Sequence, residues 1–362
     1  ACEHGCFYCD GRAEKYYVEG EFDKDIVIRE NLPQVLQREL PKLRERGFVG
    51  IGSGVSDVYQ PVEREEGLMR RCAQTLVQHR FPVSVMTKSS LALRDLDLWK
   101  EVNQKSGFLL MVSLTYVDDS LRSILEPNAS PVGERLEMIR EFKRAGCAVG
   151  VLAMPFLPEI TDTDENLRGL AQSLEGMNLD YLMPGGLTLR PGRQKEAFLG
   201  MLKSHFPHLV LHYQEIFAEN RPSGMPVLKV RLNSHARYQR WLGRLGLPGH
   251  IPHALYRDRV MLYDEIFVLL SHMALAYESR QVDTRPLQRA TARFRQWVVQ
   301  QRRPYMRRRT SHCEELEELL RIACRNGDIT TILGNEKLAA FVSRVVLDRA
   351  VFNSVALKLE SA

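Results

Sequence analysis

Three thiols crowd into the first nine residues of this chain, in the order Cys2-Glu-His-Gly-Cys6-Phe-Tyr-Cys9. A CxxxCxxC spacing lets three thiolates converge only if the backbone wraps as a tight loop, and Gly5 supplies the freedom for close approach or positive φ. Soft thiolates select zinc or iron–sulfur over hard cations. A structural zinc site wants a fourth ligand; His4 inside the loop or a distant residue could close it, and no later CxxC exists to do so. Three cysteines with no obvious fourth suit an iron–sulfur cluster whose remaining iron is open to another ligand. Cys72, Cys147, Cys313 and Cys324 are scattered and read as small buried residues.

A second candidate lies in Gln301–Thr310, where Arg302, Arg303, Arg307, Arg308 and Arg309 surround Pro304 and Tyr305. Guanidinium forks and an aromatic ring suit phosphates and stacked bases, so these arginines are a candidate nucleic-acid contact. The plainer alternative is a solvated helix end paired with the acidic stretch Cys313–Arg321. His205, His208 and His212 cluster without helical ligand spacing and read as core or solvent-facing. Neither a GxGxxG nor a Walker motif follows any strand-like segment, which tells against dinucleotide and P-loop sites.

A chain of 362 residues with 44% hydrophobic and 26% charged residues is an ordinary globular composition. No apolar run approaches the roughly 20 residues that span a bilayer, so no membrane partner is expected. The net charge of +5 permits a polyanionic partner without requiring one. Seven cysteines, three of them bunched at one end, do not resemble a secreted disulfide framework, and a reducing cytoplasmic setting is the expectation.

The elements that must position the cysteines alternate along the chain. Helical periodicity covers 25–46, 64–79, 92–104, 132–145, 165–174 and 195–205. Strand-like runs lie at 48–53, 83–88, 108–115, 149–154, 187–190 and 209–212. Such alternation implies βαβ units and a parallel sheet, and the strands are continuous apolar runs, as expected when both faces are covered. After Arg221-Pro222-Ser223-Gly224 the pattern turns helical, with candidates at 263–277, 286–301, 313–324 and 337–351. Two domains are therefore expected, 1–220 and 221–362.

With the motif and the elements in view, the sequence resembles the radical S-adenosylmethionine (radical SAM) superfamily. The stretches Gly50–Glu63, Thr87-Lys88-Ser89, Leu125-Glu126-Pro127, Met154–Asp162 and Ile251-Pro252-His253 make it similar to the branch containing spore photoproduct lyase and its relatives. The resemblance covers roughly residues 1–275. It implies an α/β fold, a partial (β/α)6 TIM-type barrel with parallel strands, followed by a mainly helical C-terminal extension. It also places a strand ahead of Cys2, so the barrel is expected to lack its first strand here.

The resemblance implies a lyase-like radical enzyme with a 4Fe-4S cluster held by Cys2, Cys6 and Cys9. S-adenosylmethionine binds the open iron and yields a 5′-deoxyadenosyl radical, with electrons from a donor such as flavodoxin or ferredoxin. Tyr8 contacts the adenine side, and Asp57 accepts from the ammonium. Lys88 pairs with the methionine carboxylate, Ser53, Ser56, Ser113 and Thr115 offer hydroxyls, and Met154 forms an apolar wall. Arg190, at the end of an expected strand, is the substrate-binding candidate; no catalytic residue is assigned. Gly54 stands where spore photoproduct lyase carries its hydrogen-donating cysteine, and Asp10 replaces a second tyrosine, so repair of thymine lesions is not carried over. The substrate classes left open are a nucleic-acid base or lesion and a peptide side chain. A non-catalytic metal module that grips nucleic acid is the competing reading.

Overall fold

The computed structural model describes residues 1–306 and 313–361, so Arg307, Arg308 and Arg309 lie outside the described residues. The chain divides into two units, Ala1–Glu39 with Val49–Leu247, and Leu40–Phe48 with Pro248–Ala362. The first unit thus runs past residue 220, where the composition changes.

The first unit is α/β. Its strands β1 (Val49–Ile51), β2 (Val83–Thr87), β3 (Phe108–Ser113), β4 (Ala148–Phe156) and β5 (Tyr181–Gly186) form one parallel sheet in chain order. Helices α1 (Leu32–Glu39), α2 (Glu63–Glu66), α3 (Leu68–His79), α4 (Leu96–Lys105), α5 (Asp119–Leu125), α6 (Val132–Arg144), α7 (Asp164–Leu174), α8 (Arg193–His205), α9 (Val210–Ile216) and α10 (Leu228–Trp241) precede, separate and follow them. Val83 pairs with Phe108, Leu110 with Val149 and Val151 with Leu182, the register that stacks β2–β5 as a continuous apolar layer. Leu110, Val112, Val149 and Val151 have no exposed surface, which is the two-sided burial their unbroken apolar runs implied. Trp99 of α4 stacks on Phe108, and Phe108 on Phe142 of α6, so helices and sheet share one core.

Three expectations are corrected. Residues 187–190 are loop, and the strand is Tyr181–Gly186, whose Pro184-Gly185-Gly186 tail disguised it; proline is tolerated because β5 pairs on one side only. Residues 209–212 are helical, because Tyr213, Ile216 and Phe217 bury at a spacing of three and four rather than two. The sheet therefore has five strands where six strand-like runs were read, and it does not close among the described residues, in keeping with a partial barrel without its first strand. Helix α1 covers only Leu32–Glu39 of the expected 25–46, with Pro33 in its first turn and Pro41 beyond its end.

The second unit is mainly helical: α11 (His253–Tyr256), α12 (Leu262–Glu278), α13 (Arg285–Met306), α14 (Cys313–Asn326), α15 (Ile329–Leu333) and α16 (Glu336–Leu347). An antiparallel pair, β6 (Val351–Asn353) and β7 (Lys358–Glu360), follows. Its core gathers Ile266, Leu269, Phe294, Leu316, Leu320 and Val342, all fully buried. No helix among the described residues is long and apolar enough to cross a membrane.

Candidate functional site

Residues 2–9 form a loop whose backbone is satisfied by its surroundings, which leaves the thiols free to turn inward. Cys2 N donates to Phe22 O (2.9 Å), Phe7 N to Leu125 O (3.1 Å), and Asn128 N to His4 O (3.3 Å). Arg12 donates to the carbonyls of Cys6 and Gly5, each at 3.0 Å, and Gln194 Nε2 to that of Tyr8 at 3.0 Å. Gly5 has φ +66°, and a Cβ there would press on Pro127 and Asp23, so both conformation and space favour glycine.

The thiols of Cys2, Cys6 and Cys9 line one cavity of about 260 Å³ at the C-terminal ends of the sheet strands. Ser53, Gly54, Ser56 and Asp57 wall it after β1, Met86–Lys88 at β2, Ser113 at β3, Met154 on β4, and Gly186–Thr188 at β5. All seven cysteines are free. Burial, then the charge of Asp57, pushes the Cys2 thiol up to about 11, and burial raises Cys6 and Cys9 as well. Thiolates here therefore need a nearby positive charge or metal to persist. Lys88 supplies one: burial opposes its charge, but Cys6, Glu126, Cys9 and Asp57 together raise its pKa. Its Nζ lies 6.0 Å from the Tyr8 ring centroid and makes no hydrogen bond among the described residues.

Among the described residues, no three His, Cys, Asp or Glu side chains converge so as to hold one metal ion. His4, the fourth ligand of the zinc reading, points its Nδ1 at Asp57 Oδ2, 3.5 Å away.

Of the residues singled out from sequence, Tyr8, Ser53, Ser56, Asp57, Lys88, Ser113 and Met154 all line the cavity. Asp57 is heavily engaged: Oδ1 accepts Tyr59 N (2.9 Å) and Thr87 Oγ1 (2.8 Å), and Oδ2 accepts Lys88 N (2.8 Å). It ties the β1 loop to the end of β2, and these three donors leave one of a carboxylate's roughly four acceptor sites, on Oδ2, which His4 Nδ1 faces at 3.5 Å. Thr115 lies off the cavity, its carbonyl accepting Asn166 Nδ2 at 2.8 Å. Arg190 also stands outside: its Nε donates to Asp10 Oδ1 at 2.7 Å and its Nη1 to Pro222 O, so it braces the cysteine loop from the side. Arg302 pairs with Glu45 (3.6 Å) and lies over the Tyr263 ring (4.6 Å), which makes it a packing residue; Arg303 is exposed.

Sequence reasoning missed what holds Tyr8. Its hydroxyl donates to Glu126 Oε1, while Arg135 Nη2 donates to Glu126 Oε2 at 2.6 Å. Both charges are buried, and Arg135 also donates to Ser113 O (3.1 Å) and Ser130 O (2.8 Å). Burial raises the Glu126 carboxyl, but Arg135 and Lys88 outweigh it and hold the group near about 2. One signal existed: Arg135 occupies the same stripe of α6 as Met138, Ile139 and Phe142, where a charge must have a partner.

Residues 1–171 match the family described as the radical SAM superfamily. An uncharacterised protein of Mycobacterium tuberculosis is 32% identical over 222 residues, covering 60% of this chain and 64% of that protein. The chain thus spans a little under two thirds of that relative's length. A radical SAM Nalpha-GlyT isomerase of Pseudomonas phage M6 is 22% identical over 258 residues, 68% of this chain and 50% of the isomerase. A solved spore photoproduct lyase mutant with dinucleoside spore photoproduct is 17% identical, with a TM-score of 0.49 over 69% of this chain and 72% of that structure.

Proposed function

The chain belongs, through residues 1–171, to the radical SAM superfamily, and on that premise we propose that it is an enzyme that abstracts a substrate hydrogen through S-adenosylmethionine bound at a 4Fe-4S cluster. The observation that carries this reading is the convergence of three free thiols at CxxxCxxC spacing on one cavity. The donor set fits such a group: three free thiols line one cavity, the number a cluster with one open iron requires. When bound, the cluster supplies the electron that cleaves the sulfonium to a 5′-deoxyadenosyl radical.

In this reading Cys2, Cys6 and Cys9 are the ligands. Lys88, charged and with no hydrogen bond from its Nζ among the described residues, receives the methionine carboxylate. Ser53, Ser56 and Ser113 offer hydroxyls, Met154 and Leu152 give an apolar wall, and Tyr8 is held still by Glu126 and Arg135. Asp57 fixes the end of β2 and thereby the backbone of Lys88. The phage relative's name, that of a radical SAM isomerase, supports the reaction class. The substrate is a nucleic-acid base, and an external flavodoxin or ferredoxin supplies the electrons. The direct test is anaerobic reconstitution: about four iron and four sulfide per chain are expected, lost in Cys6→Ala. Stoichiometric zinc in place of iron would contradict the proposal.

A further inference from the structure

Between Glu219 and Asp258 the chain has no carboxylate and seven arginines or lysines, so this stretch alone exceeds the net charge of +5 of the whole molecule. Five of the seven lie in α10 and the turn that follows, Leu242–Leu245. The helix buries Ser234 and Tyr238 and exposes much of the rest, including Lys229, Arg231, Asn233 and Gln239. Some cations of the segment are already matched: Arg237 pairs with Asp162 at 3.2 Å and Arg240 with Asp164 at 3.5 Å. Three are not. Among the described residues Lys229 has no partner and Arg231 touches only Met225 Sδ at 3.9 Å, while Arg244 lies 4.6 Å over the Trp241 ring.

This segment is stitched to the cavity wall. Leu189 N donates to Gly224 O at 2.7 Å ahead of α10, and the Phe156 and Tyr238 rings approach to 4.7 Å. The Tyr238 hydroxyl faces Gly186, which lines the cavity. A segment about 21 Å long that itself contributes no carboxylate thus runs beside the cysteine-lined cavity; Asp162 and Asp164 of the neighbouring elements pack against it, and it ends in an indole, whose Nε1 donates to Asp164 Oδ1 at 2.8 Å, and a guanidinium.

We propose that the exposed surface of this segment, with Lys229 and Arg231 on the two flanks of α10 and Trp241 and Arg244 at its end, is a docking track for the sugar-phosphate backbone of single-stranded nucleic acid. Unmatched cations take the phosphates, and the Trp241–Arg244 pair offers a stacking platform for a base. Leu228 and Leu232 are also exposed on α10, a feature that a lipid surface could use. What decides for a strand is the track's continuity with the cavity wall, which a planar membrane would not exploit. The delivery of a base to the cavity rests on the function proposed above; the binding itself does not.

The full 362-residue chain, without reconstituted metal, is titrated against a fluorescein-labelled oligothymidylate about 12 nucleotides long across a salt series. Replacing Lys229, Arg231 and Arg244 by Gln is expected to weaken binding about tenfold or more and to lower the log–log salt slope by about 2, near 0.7 per lost contact. Arg231→Lys with Arg244→Lys is expected to keep the slope. If the triple variant melts early, Lys229→Gln and Arg244→Gln singly must each lower the slope by about 0.7. An unchanged slope in folded variants overturns the proposal. So does binding to vesicles of phosphatidylcholine and phosphatidylglycerol in equal parts but not to the oligonucleotide. Intact strand binding without release of 5′-deoxyadenosine from reconstituted protein would fault the radical reading instead and leave the track standing.

Discussion

Arg135 has no exposed surface and, among the described residues, one carboxylate in contact, Glu126, for which it is the nearest cation. Removing one partner strands a buried charge, and Arg135→Met or Glu126→Gln alone is expected to lower stability by about 3–5 kcal/mol in urea unfolding. The double variant is expected to lose clearly less than the sum of the two, because no charge is then left unmatched. Additive losses would show that the pair is not coupled as the geometry states. The cysteines were legible because their spacing is local and their chemistry narrow. The Glu126–Arg135 support was not, because a pairing across nine residues and a turn becomes visible only once α6 packs. Asp57 shows the converse: its place beside the cavity was foreseeable, but not that Thr87, Tyr59 N and Lys88 N would all donate to it.

The sheet reads clearly where strands are continuous apolar runs and poorly where other demands intrude. β2, β3 and β4 fall within a residue or two of the expected runs. β5 hid behind Pro184-Gly185-Gly186, and α9 passed for a strand because Leu209-Val-Leu-His212 is apolar over too short a window to show its period. At this scale the α4–β3–α6 contact is the firmest point. Trp99 is fully buried, stacks on Phe108 at 5.0 Å, and donates from Nε1 to Tyr59 Oη at 2.8 Å. Trp99→Ala removes the stack, opens a cavity and takes away the donor to Tyr59 Oη, which keeps its own bond to Asp95 Oδ2 at 3.0 Å, so a loss of about 3–5 kcal/mol is expected. A change below about 1 kcal/mol in chemical unfolding would contradict this placement.

At the scale of the molecule, the helical unit carries its own pH dependence. His250 and His272, 4.6 Å apart between ring centroids, are pushed by burial to about 4 from an ordinary 6.5. The unfolded chain therefore binds protons that the fold refuses between those values. This contribution to stability is present above pH 6.5 and lost as pH falls towards 4, by on the order of 1–3 kcal/mol per histidine. Thermal melts across that range should show the loss, and His250→Phe should flatten it; a profile unchanged by that substitution would contradict the burial argument. The central claim concerns the other unit, and one measurement bears on it most directly. Anaerobically reconstituted protein is reduced with S-adenosylmethionine present, and 5′-deoxyadenosine is quantified by chromatography. Release that depends on reductant and disappears in Cys6→Ala is the predicted result. No release from protein that carries its full iron and sulfide would contradict the account.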